Sequence, residues 1–259
     1  MLPTAGPPPV RAGSRLESLR SRPIHDFFPA LCHLHPQIAE LCFATYRRRP
    51  SLGDRLRAQL TPENDELRET ADRLGEKGVA FWDAALSVAM KRGTLTEAFV
   101  QAALLHDFNL PERSFVLSRQ QVIDNSIREI VPQLTPGEGL LACSRVRLAS
   151  GEMAYLPMLD FVCPCVGENA RAIRKMVLLA GAPDGVLVRS GHSYHYYGAS
   201  LLSQEGWLRF LAFSLLFGPV TDSRYIAHRL LDGECRLKIV DPTDGFVPVI
   251  EDTFSNDAA

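Results

Sequence analysis

Past Pro136 the hydrophobic pattern changes its period, and this change restricts the fold more than any other feature. From about residue 25 to residue 135, apolar residues recur mostly at helical spacing. Beyond it, LLACSRVRLASGEMAYLPMLDFVC (140–163) reads as two strands joined at the turn-prone Ser150-Gly151 pair. ENARAIRKMVLLAG (168–181) is then a helix closed by Gly181, and DGVLVRSGHSYHYYG (184–198) starts as an apolar strand and runs into polar residues. GWLRFLAFSLLFG (206–218) and SRYIAHRLL (223–231) read as helices, and CRLKIV (235–240) as a closing strand. The order hairpin, helix, strand, helix, helix, strand implies an α+β domain with helices packed on a small mixed sheet.

Three regions follow: a lead-in over 1–24, a helical region over 25–135 and the α+β domain over 136–259. The lead-in is rich in Pro, Gly, Ser and Arg, and such composition predicts disorder. Its arginines suit a transit peptide, but its proline cluster opposes the amphipathic helix one needs. In the helical region Thr61-Pro62 sets an N-cap with proline at the first helical position, and helical spacing then runs to Met90 with a break expected at Gly75 and Gly78. Thr94 or Thr96 opens EAFVQAALLHDF, and Ser118 with Gln121 forms a capping-box pattern before VIDNSIREIV.

Of 259 residues, 46% are hydrophobic and 22% charged, enough to bury a core. A net charge of −2 excludes a global positive field for coating nucleic acid, though not a local basic patch. The six cysteines are scattered and follow no secretory signal, so reduced thiols and a cytoplasmic location are expected. WLRFLAFSLLFG contains Arg209 and is too short to span a bilayer, so no membrane partner is expected.

Asp160 closes the apolar strand AYLPMLDF, where it either caps the next turn or offers a carboxylate to a hard divalent cation. In the run SGHSYHYYG (190–198), strand alternation puts Ser193 and His195 on one face and Tyr194 and Tyr196 on the other. A hydroxyl and an imidazole on one face suit phosphate oxygens, and Arg189 and Gly191 are read with the same parity. In VTDSRYIAHRLLDGECRLKI (220–239), Asp222 reads as a helix N-cap or a second metal ligand. Arg224 and His228 follow it, and Lys238 lies on the closing strand; if that strand neighbours the strand of Asp160, Asp222 completes a metal site and Lys238 meets a phosphate.

Together MLDF, SGHSYHYYG and PVTDSRYIAHRLLDGECRLKI resemble the motifs of the archaeo-eukaryotic primase superfamily, the compact bacterial and mobile-element primase-like proteins most of all. The resemblance covers roughly residues 140–245 and implies a primase-like, RRM-related core. It implies a primase–polymerase nucleotidyltransferase acting in DNA replication on nucleoside triphosphates and single-stranded nucleic acid, with Mg²⁺ or Mn²⁺ and with replication or mobile-element proteins as partners. It assigns Asp160 and Asp222 to metal, Ser193 and His195 to the triphosphate, and catalysis to Asp160, Asp222 and His195. Lys238, Arg189 and Arg224 are the further nucleotide contacts. One departure is specific: the family's first motif carries a second acid two residues on, and here that position is Val162. Glu168 or Asp241 would have to replace it. Two other readings stay open: a degenerate relative that binds nucleotide or nucleic acid as an adaptor or sensor, and a metal-dependent phosphoesterase.

CHLH (32–35) and CPC (163–165) put Cys32, His33, His35, Cys163 and Cys165 at spacings that are not those of a zinc finger, so buried thiols and surface histidines are expected. YRRR (46–49) with Arg55 and Arg57 reads as a basic patch or a solvated helix end, and Trp82 reads as packing.

Overall fold

The computed structural model describes residues 16–47, 69–70, 72–74, 79, 81–97, 100, 111–191, 193–218, 220–241, 243 and 245–255. Sequence features at Thr61-Pro62, Gly75, Gly78, Arg55 and Arg57, and most of EAFVQAALLHDF, lie outside them.

The chain is α+β, but its strands form two antiparallel sheets rather than one small mixed sheet. In chain order the elements are α1 (Phe27–Leu34), β1 (Ile38–Arg47), α2 (Phe81–Arg92), β2 (Arg113–Ser118), α3 (Arg119–Ile123) and α4 (Ser126–Ile130). Then follow β3 (Glu138–Leu148), β4 (Met153–Tyr155), β5 (Met158–Asp160), α5 (Gly167–Leu179), β6 (Gly185–Ser190) and β7 (Ser193–Gly198). The last are α6 (Gln204–Ser214), α7 (Ser223–Asp232), β8 (Arg236–Val240) and β9 (Val249–Phe254). No described helix is long and apolar enough to cross a membrane.

The five-stranded sheet is built around β3. One side of β3 pairs with β1, which pairs in turn with β2; the other pairs with β8 near Leu140–Cys143 and with β4 near Arg145–Arg147. Residues 139–144 of β3 are all buried, as expected of a strand covered on both faces. Two of these strands, β1 and β2, lie inside the region read from sequence as helical. In β1, IAELCFATYR is rich in helix formers, and register shifts near Glu40 and Cys42 interrupt its alternation. Only partners far along the chain make it a strand.

The second sheet has the order β5-β7-β6-β9. The single strand expected over 153–163 is split, because Leu156-Pro157 carries the chain from β4 in one sheet to β5 in the other. Proline fixes that corner and β7 closes over it: Gly198 N–H donates to the Pro157 carbonyl at 2.7 Å. A Cβ on Gly198 would stand 2.7 Å from the proline ring, so only glycine fits there. Phe27, Phe28, Phe43 and Tyr197 form one aromatic cluster joining the sheets, with Phe28 edge-on to both Phe43 and Tyr197.

The described part of the lead-in, residues 16–24, packs on the rest of the chain, contrary to what its composition predicts. Leu16, Leu19 and Ile24 are buried, and Ser21 N–H donates to the Ile250 carbonyl while Ile250 N–H donates to Arg22. Pro23 bridges Val249, and Asp26 anchors Arg128 of α4. CRLKIV does not close the fold either, since β9 follows it and takes the edge beside β6. The capping box forms as expected: Ser118 accepts from Gln121 N–H, and the Gln121 side chain accepts from Ser118 N–H.

Candidate functional site

The run quoted from 190 to 198 is the end of one strand, a turn and a second strand. Gly191 adopts φ +81, a left-handed conformation that favours glycine, and β6 folds back into β7 with Ser190 opposite Ser193. That turn resets the parity. Arg189 lies opposite Tyr194, so it shares a face with Tyr194 and not with Ser193 and His195. There its guanidinium donates to Glu251 of β9 at 2.8 Å, and the Tyr194 hydroxyl donates to the same carboxylate at 2.7 Å. The reading of Arg189 on the phosphate face is corrected by the hairpin.

On the other face, β5 runs antiparallel to β7 and sets Asp160 directly opposite His195. Nε2 of His195 stands 3.3 Å from Oδ1 of Asp160. His195 is 3% exposed, whereas the Asp160 side chain is 31% exposed, so the carboxylate forms the mouth and the imidazole lies beneath it. The Nδ1 atom of His195 is buried without a hydrogen-bond partner among the described residues. Ser193 is half-buried at the start of β7.

Asp222 joins this pair through the backbone. Just past β5, Phe161 bridges Thr221, Val162 N–H donates to Val220, and Asp222 N–H donates to the Asp160 carbonyl at 3.1 Å. The neighbour of the Asp160 strand on this side is thus the entry to α7, not β8, which pairs with β3. Asp222 is also the N-cap of α7: its Oδ1 accepts from Arg224 N–H and Tyr225 N–H, both at 2.9 Å. Burial pushes the Asp222 carboxyl above the usual range, the two N–H groups oppose this, and the nearby Asp160 charge adds to the rise.

The remaining expected contacts are held by other partners. Lys238 Nζ pairs with Asp241 at 3.0 Å, and its backbone carbonyl accepts from the Tyr197 hydroxyl at 2.8 Å. The Arg224 guanidinium lies over the Trp82 ring and 3.8 Å from Asp83, both on α2. Val162 is 43% exposed, two residues from Asp160. Neither expected substitute for it reaches the pair: Asp241 is taken up by Lys238 and Thr243 N–H, and Glu168 faces Arg171 on its own helix. Among the described residues no group of three or more His, Cys, Asp or Glu side chains is arranged to hold a metal ion.

Two phenols escaped the sequence reading. Tyr197 and Tyr225 are fully enclosed, and their hydroxyls are pushed well upward, chiefly by burial and further by the Asp160 charge. Tyr197 shares the His195 face at i+2, a signal that was available; Tyr225 needed knowledge of where α7 docks. The cysteines are all free, and burial pushes the Cys32 thiol up to about 11. Cys163 and Cys165 are half-buried with thiols also raised by burial, His33 is exposed, and His35 Nε2 donates to the Ala199 carbonyl. Arg47, the described arginine of the basic run, is engaged by Glu112 and Thr135.

A family model described as archaeo-eukaryotic primase 1D-like matches residues 118–249, just over half of the chain. No curated protein and no solved structure matches.

Proposed function

Because the chain belongs to the archaeo-eukaryotic primase 1D-like family, we propose that it binds nucleoside triphosphates at the Asp160–His195–Asp222 cluster and extends nucleic acid as a primase–polymerase type nucleotidyltransferase. The observation that carries this reading is the convergence of three motif residues, distant in sequence, on one sheet end: Asp160 opposite His195, and Asp222 bonded to Asp160 through the backbone.

The donor set fits one hard divalent cation. Oδ1 of Asp160 faces His195 and Oδ1 of Asp222 is used as a cap, which leaves Oδ2 of each carboxylate. Asp160 and Asp222 would hold the ion, and a bound Mg²⁺ or Mn²⁺ would supply positive charge against the triphosphate. Ser193, half-buried at the mouth, donates a hydroxyl hydrogen bond to a phosphate oxygen. His195 holds Asp160 in place from beneath and meets the nucleotide only where Nε2 turns from that carboxylate. Lys238 exchanges Asp241 for phosphate in the same way. Single-stranded nucleic acid is the proposed substrate, and replication proteins are the proposed partners.

A second reading, nucleotide binding without transfer, is favoured by Val162. This exposed side chain occupies the position where strand alternation would put another acid. The test is nucleotide incorporation on a single-stranded template, with and without primer, in Mn²⁺ and in Mg²⁺. Synthesis by the wild type that disappears in both Asp160→Asn and Asp222→Asn is the expected result. Triphosphate binding without synthesis would overturn it in favour of the second reading. Phosphodiester hydrolysis without strand growth would make the chain a phosphoesterase.

A further inference from the structure

The edge of the five-stranded sheet carries a pocket that the carboxylate cluster does not use. Arg113, Phe115, Ile130, Gln133 and Leu134 line a cavity of about 380 Å³ between β2 and the segment that follows α4. Small-molecule sites begin near about 300 Å³, so the space suits one nucleotide unit. Arg113 and Phe115, two apart on β2, share a strand face.

The lining is chemically specific. The Phe115 ring stacks on Phe43 at 6.1 Å between centroids and 27° between planes. Phe43 is buried, so the half-buried Phe115 ring is backed by the core and held as a platform. Gln133 Nε2 donates to the Glu129 carbonyl at 2.8 Å, which fixes the amide and leaves Oε1 as an acceptor. The exposed Arg113 guanidinium acts electrostatically on the Glu138 carboxylate, and it forms no hydrogen bond or ion pair among the described residues. An aromatic face, a fixed acceptor and an exposed cation answer the parts of a nucleotide: base plane, exocyclic amine and phosphate. An apolar peptide would leave the cation and the amide unused.

We propose that this pocket seats one nucleotide of a single-stranded nucleic acid, its base on Phe115 and its phosphate at Arg113. The proposal rests on the nucleic-acid reading above, but not on the carboxylate cluster. Its strand, β2, lies at the edge opposite to β8, across β1 and β3.

The experiment uses the whole chain and a short, fluorescently labelled oligodeoxycytidylate, whose bases carry the exocyclic amine, with binding followed by anisotropy over a salt series. Triphosphate binding is titrated in parallel by calorimetry. Phe115→Leu keeps apolar packing on Phe43 and removes the aromatic face; it is expected to weaken oligonucleotide binding about tenfold. Arg113→Gln, at an exposed position, is expected to weaken binding and flatten its salt dependence. Both variants should keep the triphosphate affinity of the wild type. Unchanged oligonucleotide affinity in Arg113→Gln and in a folded Phe115→Leu would overturn the proposal, as would a wild type that binds triphosphate but no oligonucleotide. Oligonucleotide binding that depends on Phe115 and Arg113, in a protein that binds no triphosphate, would uphold the pocket and overturn the reading of the carboxylate cluster.

Discussion

His195 sits where chemistry and packing meet, so its substitutions need separating. At 3% exposure it is part of the interior, with its ring 6.4 Å from that of Tyr197. His195→Ala is therefore expected to lose about 2 kcal/mol in urea denaturation, from lost packing alone. His195→Gln fills more of the space, should lose less, and should still weaken triphosphate binding; unchanged affinity would remove His195 from the site. Val162 gives the opposite test. It is exposed, so Val162→Asp should alter stability by no more than about 0.5 kcal/mol. It should tighten Mn²⁺ binding, measured by calorimetry, by adding a carboxylate on the Asp160 side. The residue types of this site were legible in sequence, because Asp160 closes an apolar strand, Ser193 and His195 alternate on one strand face, and Asp222 stands at a helix start. The face of Arg189 was not, since it depends on a turn at Gly191 that alternation alone does not reveal.

At the scale of elements, α7 is held by the same carboxylate that is proposed for the metal. Asp222→Ala removes the cap and should cost about 1 kcal/mol, whereas Asn also caps well. The pH dependence separates charge from capping. Burial raises the folded-state pKa of Asp222, so folding favours its protonated form. That contribution is fully present below the unfolded-state pKa and is lost as pH rises through the folded-state value. Wild type and Asp222→Asn should therefore be of similar stability in acid, with the variant gaining over wild type as pH rises toward neutrality. A wild type that gains on the variant with rising pH would contradict this. Helices were read from sequence where caps and spacing agreed, as at Ser118–Gln121 and at Gly181. Strand β1 was not, because its helix-forming residues and shifted register hide a pairing that long-range contacts impose.

For the molecule as a whole, the boundary drawn at residue 136 does not separate two folding units. β1 lies between β2 and β3, and the Phe28–Phe43–Tyr197 cluster joins the N-terminal third to the second sheet. A fragment spanning 136–259 is expected to show no cooperative thermal transition, because β3 loses the whole of one flank; a sharp transition would restore the sequence-based boundary. Residues 16–24 have a further consequence. They bond to 248–250, and Arg20 pairs with Asp252, so the first described segment is fastened by β9, the last described strand. During synthesis on the ribosome, the opening helices and β1 emerge long before β9 exists. The fold therefore closes only after translation has delivered residue 252, and until then an unfinished edge beside β6 needs shielding from neighbouring nascent chains.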